Sequence, residues 1–161
     1  MKSIFFRHYI LIAMIMTVTV ILAAIMKPHI VKFEIVVTAL GGIFSSAYFV
    51  QKQKLEELRL FKELFTEFNH RYDQMNEKLN KILQGTQNEK LTEQEINYLY
   101  DYFNLCGEEY LYYKQGYILP EVWESWKNGM RTFSKNNRIR ELWEDELKEN
   151  SYYCFKLNLL D

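Results

Sequence analysis

The sequence predicts an all-α fold in three parts: a two-span transmembrane hairpin over 1–50, a juxtamembrane amphipathic helix over 51–85, and a small cytoplasmic helical bundle over 91–161. Three observations predict it. Two apolar runs near the N-terminus are almost free of charge. Residues 51–84 contain neither Pro nor Gly and place apolar side chains at alternating spacings of three and four. The remainder shows broad apolar stripes at helical spacing, punctuated by helix caps.

The first apolar run, YILIAMIMTVTVILAAIM from Tyr9 to Met26, is broken only by two threonines. At about 1.5 Å per residue it nearly crosses a ~30 Å hydrocarbon core. Lys27-Pro28-His29 punctuates it, and a second run, IVVTALGGIFSSAYFV, covers Ile35 to Val50. A cleaved signal peptide fits less well: the run is long for such a segment, and a second apolar run follows it. Lys2, Arg7, Lys52, Lys54 and Arg59 flank the hairpin, against Lys27 and Lys32 in the connecting loop. That asymmetry predicts that both termini are cytoplasmic, and the two apolar runs predict membrane lipid as a partner.

Within the second run Gly41 and Ser45, and Gly42 and Ser46, are small residues four apart on one face. Close backbone approach over small residues drives helix packing in lipid. Packing against the first span and packing between chains, toward a homo-oligomer, fit this stripe equally. No charge lies mid-span, which disfavours a proton relay or a charged filter.

From residue 51 the composition changes. Residues 1–50 carry five charged side chains, and the rest of the chain carries sixteen basic and twenty acidic ones, about −4 by count. This predicts no direct sequence-specific nucleic-acid binding, which needs a basic stripe to displace counterions. Cys106 and Cys154 have no companion at metal-ligand spacing, and His8, His29 and His70 lie far apart. No metal and no cofactor is expected. There is no Gly-rich phosphate loop, no G-x-S-x-G and no H-E-x-x-H.

The amphipathic stripe over 51–84 comprises Leu58, Phe61, Phe65, Phe68, Tyr72, Met75, Leu79 and Ile82. The periodicity also suits an oligomeric coiled coil, but three Phe and a Tyr on the seam favour packing inside one helical domain. A helix from Ile35 to Gln84 would be roughly 75 Å long. Gly85 ends it, and a polar loop leads to Lys90.

Thr92 followed by Glu95 forms a capping-box signature, and Gly116 suits the position just past a helix end. The helix between holds most of the tyrosines: seven of the chain's twelve fall between Tyr98 and Tyr117. One stripe runs Ile96, Leu99, Phe103, Cys106, Tyr110, Tyr113. A second, beside it, holds Tyr98, Tyr102, Leu105 and Tyr112. So wide an apolar surface is gripped from two sides. Glu109 falls in the second stripe, and Glu108 points to the polar side with Asp101 and Asn104. A carboxyl among tyrosines is an acceptor for tyrosine hydroxyls or an arginine, or else a functional acid. Gly107, in mid-helix, permits a close crossing. Pro120 starts the next helix, with Val122, Trp123, Trp126, Met130 and Phe133 on its apolar face. A last helix over 137–150 uses Ile139, Leu142, Trp143 and Leu147. The tail SYYCFKLNLLD is apolar enough to pack back or to bind a partner.

The runs FTEFNHRYDQMNEKLNKI and YDYFNLCGEEYLYYKQGYILPEVWESWKNGM resemble a cytoplasmic module of small, mostly uncharacterised bacterial membrane proteins. The matching positions include Phe65, Phe68, Asn69, Arg71, Tyr72, Asp73, Tyr102 to Cys106, Glu108 to Tyr110, Gly116, Tyr117, Trp123, Trp126, Gly129 and Met130. The overall layout is similar to two-span membrane effectors of anti-phage systems of the retron type. That resemblance implies a cytoplasmic regulatory protein or ribonucleoprotein, such as a reverse transcriptase complex, as partner, and it implies no catalytic residue.

Two readings of function follow. In the first, the chain is a non-enzymatic membrane effector whose cytoplasmic module binds a regulator through Tyr98, Tyr102, Glu109, Tyr112, Trp123 and Trp126, and whose hairpin packs through Gly41, Gly42, Ser45 and Ser46. In the second, it is a membrane-tethered adaptor for a cytoplasmic protein. Catalysis by Glu108 or Glu109 with a tyrosine is disfavoured, because paired acids need a pocket that one helix does not supply.

Overall fold

The computed structural model describes residues 4–86, 89–149 and 151–160, with side chains from residue 8 onward. Lys2 and the side chain of Arg7, invoked above for orientation, lie outside the described residues, as do Gln87 and Asn88 of the polar loop and Asn150. Among the described residues the chain is all-helical, with no strand: α1 (Ile4–Met26), α2 (Phe33–Gln84), α3 (Glu93–Lys114), α4 (Pro120–Ser134) and α5 (Asn137–Glu146), then short 3-10 turns to Leu160. It divides into two compact units, Met1–Arg59 and Leu60–Asp161.

The first unit contains two helices long and apolar enough to cross a membrane. His8–Met26 has a mean hydropathy of 2.6, and no residue of it is buried. The best window of α2 reaches 1.6. Helical dihedrals in α1 are interrupted at His8 (φ −120°, ψ 19°). Thr19 donates back to the Ile15 carbonyl (2.9 Å) and Thr38 to that of Glu34 (2.8 Å), so these hydroxyls are satisfied inside their own helices. Lys54 Nζ lies 4.3 Å from the centroid of the Tyr9 ring. The chain therefore turns back at 27–32 and brings the start of α1 beside α2.

The second unit is built on α3. Thr92 caps its N-terminus: the Glu95 amide donates to Thr92 Oγ1 (3.3 Å), and the Thr92 amide donates to Glu95 Oε2 (2.7 Å). These bonds satisfy amides that helix geometry leaves free. Gly116 ends α3 at φ 82°, and the Tyr117 amide donates to the Tyr112 carbonyl (3.0 Å). This wrap needs a left-handed residue, which glycine supplies without steric cost. Pro120 opens α4, and Asn136 caps α5 by accepting from the Ile139 amide.

Leu99, Phe103, Leu105 and Cys106 of α3 are essentially inaccessible, as are Leu79, Ile139 and Trp143. Phe68 and Ile82 of α2 join the same core with Trp123, Met130 and Phe133 of α4. The compact unit thus takes in the amphipathic helix from Leu60 onward, where its apolar stripe is covered by α3–α5 of the same chain. Trp143 sits between Phe103 (centroids 4.5 Å apart, stacked) and Phe155 (5.6 Å). The last regular helix is shorter than its periodicity suggests: α5 stops at Glu146, and a 3-10 turn covers Leu147–Glu149.

The tail packs back. Phe155 and Leu160 are buried, and the Leu160 carbonyl accepts from Arg131 Nε. The backbone there is unusual: Tyr152, Tyr153 and Cys154 have φ of 56°, 57° and 64°. Left-handed backbone costs an L-residue roughly 1–2 kcal/mol, so the packing of Phe155 and Leu160 offsets local strain.

Candidate functional site

The wide face of α3 decides where the candidate residues go. Tyr102, Glu109 and Trp123 are buried, each no more than 6% exposed. Tyr102 and Trp123 pack against aromatic rings of this chain's own helices. Trp123 packs on Tyr113 (5.0 Å, stacked) and Tyr110 (5.8 Å). Tyr102 meets Phe133 (4.8 Å), Trp143 (5.9 Å) and Tyr72 (6.3 Å). Tyr98, Tyr112 and Trp126 are half-buried and keep accessible surface. Tyr98 lies under Lys78 Nζ (4.1 Å), Tyr112 against Phe68 (5.7 Å), and Trp126 against Phe65 (6.1 Å) and Phe68 (5.8 Å).

Three of these six residues converge. Tyr102, Glu109 and Trp126 line one pocket of about 190 Å³ with Asn69, Tyr72, Ser125, Gly129 and Met130. Asn69 and Tyr72 come from α2, Tyr102 and Glu109 from α3, and the rest from α4. Ser125 and Gly129 are exposed and form the mouth. They are small residues four apart, the same spacing as Gly41/Ser45 and Gly42/Ser46, and that spacing is the sequence signal for the mouth.

Glu109 does not take the acceptor role its position suggests. Among the described residues no tyrosine hydroxyl and no arginine hydrogen-bonds its carboxyl. Arg71 is instead committed to Glu108 by two bonds, Nη1 to Oε2 (2.5 Å) and Nη2 to Oε1 (3.2 Å). Glu108, placed on the polar side by its helical angle, is thereby drawn into an ion pair with α2. Burial pushes the Glu109 carboxyl up to about 8; Arg71 opposes the shift and Glu108 adds to it. Burial also raises Tyr102 and Cys106 well above their ordinary values. At neutral pH the Glu109 carboxyl that lines the pocket is therefore largely protonated. Among the described residues no group of three His, Cys, Asp or Glu side chains is close enough to hold a metal ion.

In the first unit, Gly41, Gly42, Ser45 and Ser46 are all exposed, and a Cβ on either glycine would meet nothing within 4 Å. Gly42 and Ser46 line an apolar groove of about 410 Å³ along α1, with Tyr9, Ala13 and Met16 on its other wall. The small stripe does not bring the two backbones into close contact.

No family model, no curated protein and no solved structure matches this chain. The described residues define an all-helical protein with two apolar N-terminal helices and a compact helical unit in which Glu109 lines a small pocket.

Proposed function

We propose that this chain is a non-enzymatic effector of the bacterial inner membrane, with both termini cytoplasmic, whose C-terminal helical unit binds a regulator and whose N-terminal hairpin assembles to disrupt the bilayer. One observation carries the membrane part. Ile10, Leu11, Met14, Ile15, Val18 and Leu22 on α1, and Ile35, Val37, Phe44 and Phe49 on α2, are all more than 40% exposed within the chain. An apolar surface of that kind is stable in lipid and not in water. The regulator part rests on the half-buried aromatic positions Tyr98, Tyr112 and Trp126 and on the resemblance to two-span anti-phage effectors. A ribonucleoprotein of the reverse transcriptase type is the regulator that resemblance favours. Expressing the full chain alone and following membrane potential tests the proposal: depolarisation and growth arrest are expected, and cells that stay polarised at high expression overturn it.

A second reading, a membrane-tethered adaptor, is favoured by the separate core of Leu60–Asp161. A fragment of residues 51–161 that retains the whole activity selects the adaptor, and one that binds its regulator but leaves the membrane intact selects the effector.

A further inference from the structure

We infer that the pocket over Glu109 binds a single alkylammonium or guanidinium group. Glu109 is 6% exposed as a residue and lines the pocket, and no hydrogen bond to its carboxyl occurs among the described residues. The cation near it, Arg71, is held by Glu108. A buried carboxylate without a donor is costly, and an entering cation removes that cost. Tyr72, Tyr102 and Trp126 line the same pocket, and aromatic faces attract ammonium and guanidinium ions. The size sets the scale of the ligand. At about 190 Å³ the pocket falls below the roughly 300–1,000 Å³ of sites for drug-sized molecules. It suits one short amine, or the end of one Lys or Arg side chain. Residues 91–161 carry eight basic and thirteen acidic side chains, so the surrounding field also favours a cation.

The groups that face Glu109 make this binding pH-dependent. From α2 come Arg71 and Tyr72, and from α3 Tyr102, Cys106 and Glu108; α4 contributes Ser125, Trp126, Gly129 and Met130, none of which titrates in this range. A cation binds the ionised carboxyl, which is populated as pH rises toward about 8. Binding therefore tightens from pH 6 to pH 8.5, and the ligand displaces a proton from Glu109. The inference does not depend on the membrane reading.

The test uses the full chain in detergent micelles, labelled with 5-fluorotryptophan. Its three tryptophans give three fluorine resonances. The probes are n-butylammonium, methylguanidinium, the neutral 1-pentanol and the blocked tripeptide acetyl-Gly-Lys-Gly-amide. The two small cations are expected to shift the Trp126 resonance saturably, with the Trp143 resonance unmoved, and pentanol is not. Glu109→Gln is expected to weaken the cations at least tenfold and to abolish the pH dependence. Gly129→Leu is a second variant: the backbone there has open space around it, so a larger side chain fills the mouth without a clash and should abolish binding while the Trp143 resonance keeps its position. A shift by the tripeptide as well points to a partner's side chain as the natural ligand, and a shift by the small cations alone points to a free amine. No saturable shift with either small cation, equal binding of pentanol, or undiminished binding in Glu109→Gln or Gly129→Leu overturns the inference.

Discussion

Gly107 lies directly against Tyr152. A Cβ at residue 107 would sit 2.8 Å from Tyr152 Cβ and 3.1 Å from its Cα and its carbonyl oxygen. Two of those atoms are backbone, so no rotamer change relieves the overlap. The close approach is made to the returning tail, not to a crossing helix, and it explains a glycine in the middle of α3. Gly107→Ala would gain about 1 kcal/mol of helix propensity in an exposed helix. Here overpacking outweighs that gain, and a net loss of about 1–3 kcal/mol is expected. Denaturation of the full chain in micelles, followed by tryptophan fluorescence, measures it, because all three tryptophans lie beyond residue 120. A more stable variant would show that the tail does not pack on α3.

Tyr153 gives a prediction of opposite sign. Its φ is 57° and its side chain is 50% exposed. Glycine removes the left-handed penalty and little packing is lost, so Tyr153→Gly should stabilise the unit by about 1 kcal/mol. The same denaturation experiment reads it, and a lower midpoint would contradict the strained turn.

Glu109 couples stability to pH. Its carboxyl titrates near 8 in the folded chain, against 4.5 ordinarily. Between those values the folded state keeps a proton that the unfolded state has lost, so stability is complete below about pH 4.5 and declines until the folded carboxyl ionises near 8. The loss is on the order of a few kcal/mol. In Glu109→Gln the fall should flatten, and midpoints at pH 5, 6.5 and 8 should converge. Parallel slopes for the two proteins would remove Glu109 as the source.

The two thiols should separate in reactivity. Cys154 is exposed; Cys106 is inaccessible and its thiol is pushed well up by burial, with Glu109 adding to the shift. A maleimide is expected to label one thiol promptly and the second only as fast as the unit opens. Prompt labelling of both would mean that the core around α3 is not closed.

On the proposed membrane reading, a charge at Val18 in the middle of α1 opposes insertion. Arg there costs about 2.5–3.5 kcal/mol on insertion scales. Val18→Arg should move the full chain out of the alkali-resistant membrane fraction, whereas Val18→Leu should leave it there. Unchanged fractionation of the Arg variant would count against α1 as a span.

Much of the local structure was legible from residue type alone. Thr92 with Glu95, Gly116 and Pro120 mark helix ends, because each supplies or removes a specific backbone hydrogen bond or dihedral. The angular position of Glu109 within the second stripe was legible too, and the carboxyl is indeed buried. Its environment was not. Helical angle says which face a residue occupies, but not which side chains of other helices arrive there. Arg71 binds Glu108 in preference to Glu109, and the small pair Ser125 and Gly129 opens a mouth beside Trp126.

By itself the sequence determined where the helices lie, the ends marked by Thr92, Gly116 and Pro120, and the two apolar N-terminal runs, since these depend on propensity and on periodicity within one segment. Only the tertiary structure decided that α3–α5 cover the stripe of α2 from Phe68 onward, that the tail returns over Gly107 through three left-handed residues, and that Tyr72, Tyr102, Glu109 and Trp126 line one pocket. Those outcomes depend on contacts between residues far apart in the chain, whose mutual distances no local pattern encodes.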